Sequence, residues 1–240
     1  MNPIVLIPAR MAATRLPGKP LASIGGVPMI VRVMRQAEAA GVGPVAVAAG
    51  DSEIVEAVEA AGGRAVLTDP DLPSGSDRIQ AALDELDPRS ERDVVINLQG
   101  DMPFVAPAVL SACLGVLAEH PECDIATVVA LEASPADRAN PDVVKAVLAE
   151  DGRALYFTRS TLYGDGPVWR HVGIYGYRRA ALEAFNASPP SPLERREKLE
   201  QLRALELGLS IRAAVADAAP ISVDTPADLE AAEAFARTAA

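Results

Sequence analysis

The sequence predicts an α/β fold: a doubly wound, mostly parallel sheet with a small antiparallel extension. Three observations carry this expectation. Short apolar runs alternate with amphipathic helical patterns through the first hundred residues. The apolar content is mainly Ala, Val and Leu, with only 4% aromatic residues, a mix that suits helices packed on a Val-rich parallel sheet. Between about residues 124 and 177 the pattern shifts to closely spaced strand-like runs. Half of the 240 residues are hydrophobic, enough for one large core. Residues 1–240 therefore read as one domain, with 124–180 as its antiparallel extension.

Each element has a local reason. Residues 4–9 are a continuous apolar run followed by a loop rich in Gly and Pro, the pattern of a buried strand. Apolar residues at 29, 30, 33, 34 and 37 form the stripe of an amphipathic helix over 29–40. A strand at 45–49, a helix at 53–61, a strand at 65–67, a helix at 76–86 and a strand at 94–98 complete the alternation. Residues 143–149 and 154–157 flank Glu150-Asp151-Gly152-Arg153, which reads as a hairpin turn. A further strand is expected over 171–177. Ser191-Pro192-Leu193-Glu194 is a capping box with proline at the first helical position, predicting a helix from there to about Leu207. Thr225-Pro226-Ala227-Asp228 opens the last helix similarly and leaves Asp224 at the end of a strand-like segment.

The formal net charge is −11, which argues against general binding of nucleic acid or anionic membrane. A polyanionic ligand would need a local cluster of cations. Cys113 and Cys123 have neither disulfide-framework nor metal spacing and read as free buried thiols in or beside one helix. The opening Met1-Asn2-Pro3-Ile4 lacks a basic signal-peptide start, and no apolar run approaches a membrane span. A cytoplasmic protein without membrane insertion is expected.

The loop after the first strand reads Pro8-Ala9-Arg10-Met11-Ala12-Ala13-Thr14-Arg15-Leu16-Pro17-Gly18-Lys19-Pro20-Leu21. Arg10, Arg15 and Lys19 place three cations at the carboxyl end of a buried strand, where doubly wound sheets bind ligands. Planar guanidinium forks and a lysine point charge suit the oxygens of a triphosphate. The loop is neither a P-loop nor a dinucleotide fingerprint, since Ala13 stands where the first P-loop glycine would fall. Asp101 and Asp224, about 120 residues apart, each stand near a strand end. Taken alone, such aspartates are more often caps or solvated charges. Arg78 alone reads equally as a helix-surface charge, and a lone histidine such as His171 is more often structural than catalytic.

The run from Ile7 to Leu21 resembles the signature of the 3-deoxy-manno-octulosonate (Kdo) cytidylyltransferases, also called CMP-Kdo synthetases. The resemblance extends along nearly the whole chain. It includes Ser74-Gly75-Ser76-Asp77-Arg78, Asn97-Leu98-Gln99-Gly100-Asp101 and Ala154-Leu155-Tyr156-Phe157. It continues through His171-Val172-Gly173-Ile174-Tyr175-Gly176-Tyr177, Ser191-Pro192-Leu193-Glu194, Leu199-Glu200-Gln201-Leu202-Arg203 and Val223-Asp224-Thr225-Pro226.

The resemblance implies a fold of the nucleotide-diphospho-sugar transferase type, a homodimer, and CTP and Kdo as substrates in lipopolysaccharide synthesis. It implies that Asp101 and Asp224 meet at the active site and hold Mg²⁺, a hard cation suited to carboxylate and phosphate oxygens. Arg10, Arg15 and Lys19 would hold the triphosphate, with Arg10, Lys19 and both aspartates as the catalytic set. Gly75, Ser76 and Arg78 would recognise cytosine and ribose, and Gln99 would lie at the nucleotide–sugar junction. Gln99 should share a face with Asp101 if strand geometry persists between them. His171, Tyr175, Glu200 and Gln201 would line the Kdo pocket. His171 and Tyr175 lie four apart on one strand face, whereas Glu200 and Gln201 cannot both face the same way on a helix. Lys19 is expected to be exposed and to matter little for stability.

Two positions depart from the family pattern. Met102 stands where many relatives have Glu, and the loop over 162–170 is shorter than in several relatives. The implied reaction is CTP + Kdo → CMP-Kdo + pyrophosphate, by in-line attack of the sugar 2-hydroxyl on the α-phosphorus. Rivals are an amino-Kdo or sialic-acid cytidylyltransferase, a sugar-1-phosphate nucleotidyltransferase, and a non-catalytic nucleotide-binding homologue. Intact Asp101, Asp224 and Lys19 disfavour the last.

Overall fold

A computed structural model describes residues 1–12, 15–132, 134–162 and 166–238. The chain forms two compact units, one of residues 1–110 and 220–240, the other of residues 111–219.

In the first unit, strand β1 (Pro3–Ala9) is followed by a one-turn 3₁₀ helix (Lys19–Leu21) and a minimal hairpin, β2 (Ser23–Ile24) and β3 (Val27–Pro28). Then come α1 (Met29–Ala40), β4 (Val45–Ala49), α2 (Ser52–Ala60), β5 (Ala65–Leu67), α3 (Gly75–Leu86) and β6 (Val94–Leu98). Four strands pair in parallel in the order β6-β1-β4-β5. Val5, Leu6 and Ile7 of β1 are fully buried, because a parallel strand covered by helices on both faces has no polar side to alternate with. The register sets Leu6 against Asn97 and Ala9 against Ala49, so the loops leaving β1, β4 and β6 emerge at one edge.

Close approach at that edge requires small residues. A Cβ at Gly100 would lie 3.0 Å from the Pro8 carbonyl oxygen, so glycine lets the turn after β6 pack against the end of β1. The pleat ends at Leu98; Gln99 is irregular and Gly100 and Asp101 lie in a turn. The strand alternation expected to align Gln99 with Asp101 therefore does not extend to them. Asp224 also departs from expectation. It lies in an irregular stretch before the C-terminal helix (Pro226–Thr238), not at a strand end. A backbone bond, Val223 N–H to Asp101 O at 2.9 Å, and the burial of Val223 in the core bring it beside the β6 turn.

Helix α4 (Pro107–Glu119) starts in the first unit and continues into the second. There follow β7 (Ile125–Glu132), α5 (Pro135–Ala139), β8 (Lys145–Leu148), β9 (Ala154–Thr158), β10 (Val168–Arg178), α6 (Arg179–Asn186), α7 (Pro192–Glu197), α8 (Gln201–Glu206) and β11 (Ile211–Ala216). Strands β8 and β9 pair antiparallel across the expected hairpin, and β10 runs antiparallel to both β7 and β8. The pairings among these strands of 124–180 are antiparallel, as expected, and β11, which lies beyond that segment, is parallel to β7. Cys113 and Cys123 are free and buried.

The Ser191 capping box is present with both of its bonds. The helix it opens does not run on to Leu207: Lys198 takes left-handed backbone (φ 55°, ψ 47°) and separates α7 from α8. A continuous helix would carry Lys198, four residues after buried Glu194, into the same inward face. The break turns Lys198 outward and lets Glu194 pair with Arg203 at 2.7 Å.

Candidate active site

The first unit carries a cleft of about 300 Å³ at the carboxyl edge of its sheet, lined by the β1 loop, Leu72, Ser74, Gly75, Arg78, the β6 turn and Asp224. Arg10, Arg15, Lys19, Gly75, Arg78, Gln99, Asp101 and Asp224 all reach it. Ser76 does not. It is buried behind the wall, its hydroxyl 2.7 Å from that of Ser74. Ala13 and Thr14 of the loop lie outside the described residues.

Gly18, in left-handed backbone (φ 69°), starts the 3₁₀ turn that aims Lys19 inward. The Lys19 ammonium lies 2.9 Å from Asp101 Oδ2 and 3.0 Å from Asp224 Oδ1. Arg15 Nη2 reaches the same Asp224 oxygen at 3.1 Å while its side chain stays 60% exposed. Lys19 is not the exposed loop residue the sequence led us to expect: its side chain is only 17% exposed. Burial alone would lower its pKa, but Asp101 and Asp224 together outweigh that and raise it. Burial pushes the Asp101 carboxyl above its ordinary range, and the Lys19 charge offsets this only in part.

Arg78 is 2% exposed, which excludes the helix-surface reading. Its guanidinium donates to Thr68 Oγ1 at 2.6 Å, Asp69 O at 3.0 Å and Pro70 O at 3.2 Å. It thereby shapes the segment leading to Gly75. Met102 is buried, so the position that departs from the family pattern belongs to the core beside the site.

The second unit holds the remaining candidates. His171 and Tyr175 lie on one face of β10, ring centroids 5.4 Å apart, although a register shift separates them. The shift adds two residues, an even number, so the pleat face is preserved. Thr127 on β7 donates its hydroxyl to Ile174 O at 2.9 Å and lies 2.9 Å from His171 Nε2. With its only proton committed, that hydroxyl accepts from Nε2–H, leaving Nδ1 as the acceptor. Burial lowers the His171 pKa to about 4 and raises that of Tyr175. Gln201 is buried at the start of α8, whereas Glu200 just before it is exposed. Tyr163, Gly164 and Asp165 of the expected 162–170 loop lie outside the described residues, and its last three residues, 168–170, belong to β10 instead.

Residues 4–211 match the family model described as Cytidylyltransferase. A protein of Parvibaculum lavamentivorans named 3-deoxy-manno-octulosonate cytidylyltransferase is 57% identical, over 97% of this chain and 92% of that protein. One of the same name from Bradyrhizobium sp. is 59% identical over 95% of each. The chain belongs to the 3-deoxy-manno-octulosonate cytidylyltransferase family. A solved structure described as CMP:2-keto-3-deoxy-manno-octonic acid synthetase complexed with CTP superposes with a TM-score of 0.93, at 39% identity and full coverage of both chains.

The donor set fits a divalent ion of the kind expected in this cytidylyltransferase family. Asp101 Oδ1 is buried without a hydrogen-bond partner, an arrangement that costs about 1–3 kcal/mol unless something binds it. Among the described residues no cluster of three His, Cys, Asp or Glu side chains is placed to hold a metal. Two carboxylates completed by phosphate oxygens and water match the way Mg²⁺ is usually held. Two residues near these sites escaped the sequence reading. Thr127 was signalled only as a polar residue inside an apolar strand. Asp51, on the loop after β4, carried no signal beyond that of an ordinary helix cap.

Proposed function

We propose that this chain transfers the cytidylyl group of CTP to 3-deoxy-D-manno-octulosonate, giving CMP-Kdo and pyrophosphate for lipopolysaccharide synthesis. The observation that carries the reading is the convergence of Arg15, Lys19, Asp101 and Asp224 in one cleft of a protein with net charge −11. In the reaction the sugar 2-hydroxyl oxygen forms a bond to the α-phosphorus and the bond to the β-phosphate bridge oxygen breaks. The hydroxyl proton passes to solvent.

Arg10, Arg15 and Lys19 hold the triphosphate in this assignment. The Gly75–Arg78 segment receives cytosine and ribose, and Gln99 lies at the junction with the sugar. Asp101 and Asp224 would hold Mg²⁺, which when bound supplies charge neutralisation and acidifies the attacking hydroxyl. Lys19 and Arg15 neutralise the two carboxylates before substrates arrive and are available to phosphate afterwards. His171 accepts a sugar hydroxyl at Nδ1, with Tyr175, Glu200 and Gln201 around it. Catalytic roles belong to Arg10, Lys19, Asp101 and Asp224.

A homodimer is part of this reading. Leu131 and Val215, 58% and 60% exposed on one face of paired strands, offer apolar surface for it. Among the described residues no helix is long and apolar enough to cross a membrane, and a nucleoside triphosphate donor fits a cytoplasmic enzyme.

Pyrophosphate release measured for CTP and UTP against several acidic sugars tests the assignment. CTP with Kdo should dominate. A polar base edge left unpaired costs about 1–3 kcal/mol per group, so UTP should be at least about fivefold poorer in kcat/KM. Comparable values for the two nucleotides would sink the assignment.

A further inference from the structure

Asp51 stands at the N-cap of α2 with extended backbone, yet its side chain makes no capping bond. An aspartate there ordinarily accepts from the second or third amide of its own helix. This carboxylate turns to the β1 loop instead, and Oδ2 accepts the Met11 N–H at 2.7 Å. Met11 follows Arg10 directly, so the bond sets how the chain carrying Arg10 leaves the strand. Gly50, the residue before Asp51, donates its N–H to Ala9 O at 2.9 Å. A Cβ on Gly50 would fall 2.7 Å from Arg78 Nη1 and 3.2 Å from Arg10 Cβ. The missing side chain therefore lets two cationic residues crowd the same backbone. Burial first and Arg10 second lower the pKa of Arg78, while Asp51 and Asp69 oppose them. Asp51 thus also supplies negative charge where two like charges meet.

We propose that Asp51 is a positioning residue for nucleotide binding: it leaves its own helix uncapped to hold the Met11 amide, and so presents Arg10 to the triphosphate. The proposal rests on the reading of this loop as the nucleotide site. Asp51 touches no reacting atom and acts through the backbone it anchors.

Two substitutions separate this role from ordinary structural support. Asp51→Ser keeps a good capping residue, so the fold is retained, but its hydroxyl is one bond too short to serve Met11. Asp51→Asn keeps an oxygen of the right reach. Steady-state kinetics would be measured for both, with thermal midpoints, and with Arg15→Ala as a control on the loop itself. Asp51→Ser should raise KM for CTP about tenfold, the loss of one charge-assisted hydrogen bond, leaving KM for Kdo within about twofold. Asp51→Asn should recover KM for CTP to within about threefold of the parent, since a neutral acceptor is weaker than a charged one. If Arg15→Ala weakens CTP binding and Asp51→Ser does not, the positioning role fails while the loop keeps its assignment. If neither affects CTP, the loop assignment fails and the proposal with it. A fall in thermal midpoint with both KM values raised together, unrelieved in Asp51→Asn, would make Asp51 a general structural residue and also overturn the proposal.

Discussion

Lys19→Met removes the ammonium between Asp101 and Asp224 while keeping most of the buried stem, so its effects isolate charge from packing. Breaking a fully buried ion pair costs about 3–5 kcal/mol and an exposed one about 0–1. Lys19 is 17% exposed, Asp101 21% and Asp224 38%, which puts the cost between these limits, at about 1–3 kcal/mol. For a chain of this size each kcal/mol moves the thermal midpoint by about 2–4 °C, so a fall of roughly 2–12 °C is expected. The sign with pH is determined by the raised Lys19 pKa. The unfolded chain releases this proton near the ordinary lysine value of 10.5, and the folded chain at higher pH. While Asp101 stays ionised, the stabilisation is complete below 10.5 and declines as pH rises through the folded value, so parent and variant converge in strong alkali. Scanning calorimetry at pH 7, with and without Mn²⁺, is the assay. The variant should gain more from the divalent ion than the parent, because both carboxylates have lost a competing cation. Its kcat/KM for CTP should fall roughly a hundredfold, the scale of losing one preorganised charge at a phosphoryl group. A thermal midpoint within about 1 °C of the parent together with kcat/KM within about twofold, under 0.5 kcal/mol, would refute the reasoning.

Asp101→Asn and Asp224→Asn should each lower turnover by about a hundredfold or more while near-normal circular dichroism shows an intact fold. Near-normal activity in either variant would remove that residue from the metal site. Activity should also disappear on chelation and return with added Mg²⁺, whereas full turnover in excess chelator would exclude a required divalent ion. His171 stays neutral in the fold to about pH 4, against an ordinary value of 6.5, so the unfolded chain binds its proton first as pH falls. Stability should drop by about 2–3 kcal/mol between pH 6.5 and 4 beyond the drop seen in His171→Gln. Identical pH profiles in denaturant titrations would show that His171 is not held neutral.

Elements with continuous local signals were legible without coordinates. The strands at 45–49, 65–67 and 94–98 are short apolar runs between turn residues, and the structure has the same limits. The Ser191 capping box named its helix start because both of its bonds join residues three apart. The end of that helix was not legible. Lys198 adopts a left-handed conformation that its residue type does not favour, and what holds the turn is packing: the Glu194–Arg203 pair and the backbone of Arg159 bonded to Glu197.

The candidate site divides along the same line. Its residue types, their order along the chain and the family they belong to were determined by the sequence, since motif chemistry is carried by which groups are present and how they are spaced. Tertiary structure alone decided which charge meets which. Lys19 bonds to carboxylates 82 and 205 residues away, and Asp51 serves an amide 40 residues before it. Asp224 reaches its place through a backbone bond and the core packing of its neighbour Val223, not through a strand. Local propensity cannot encode these pairings, because each depends on which distant segments the assembled fold brings to the same edge. The burial that shifts their pKa values exists only once that edge has assembled.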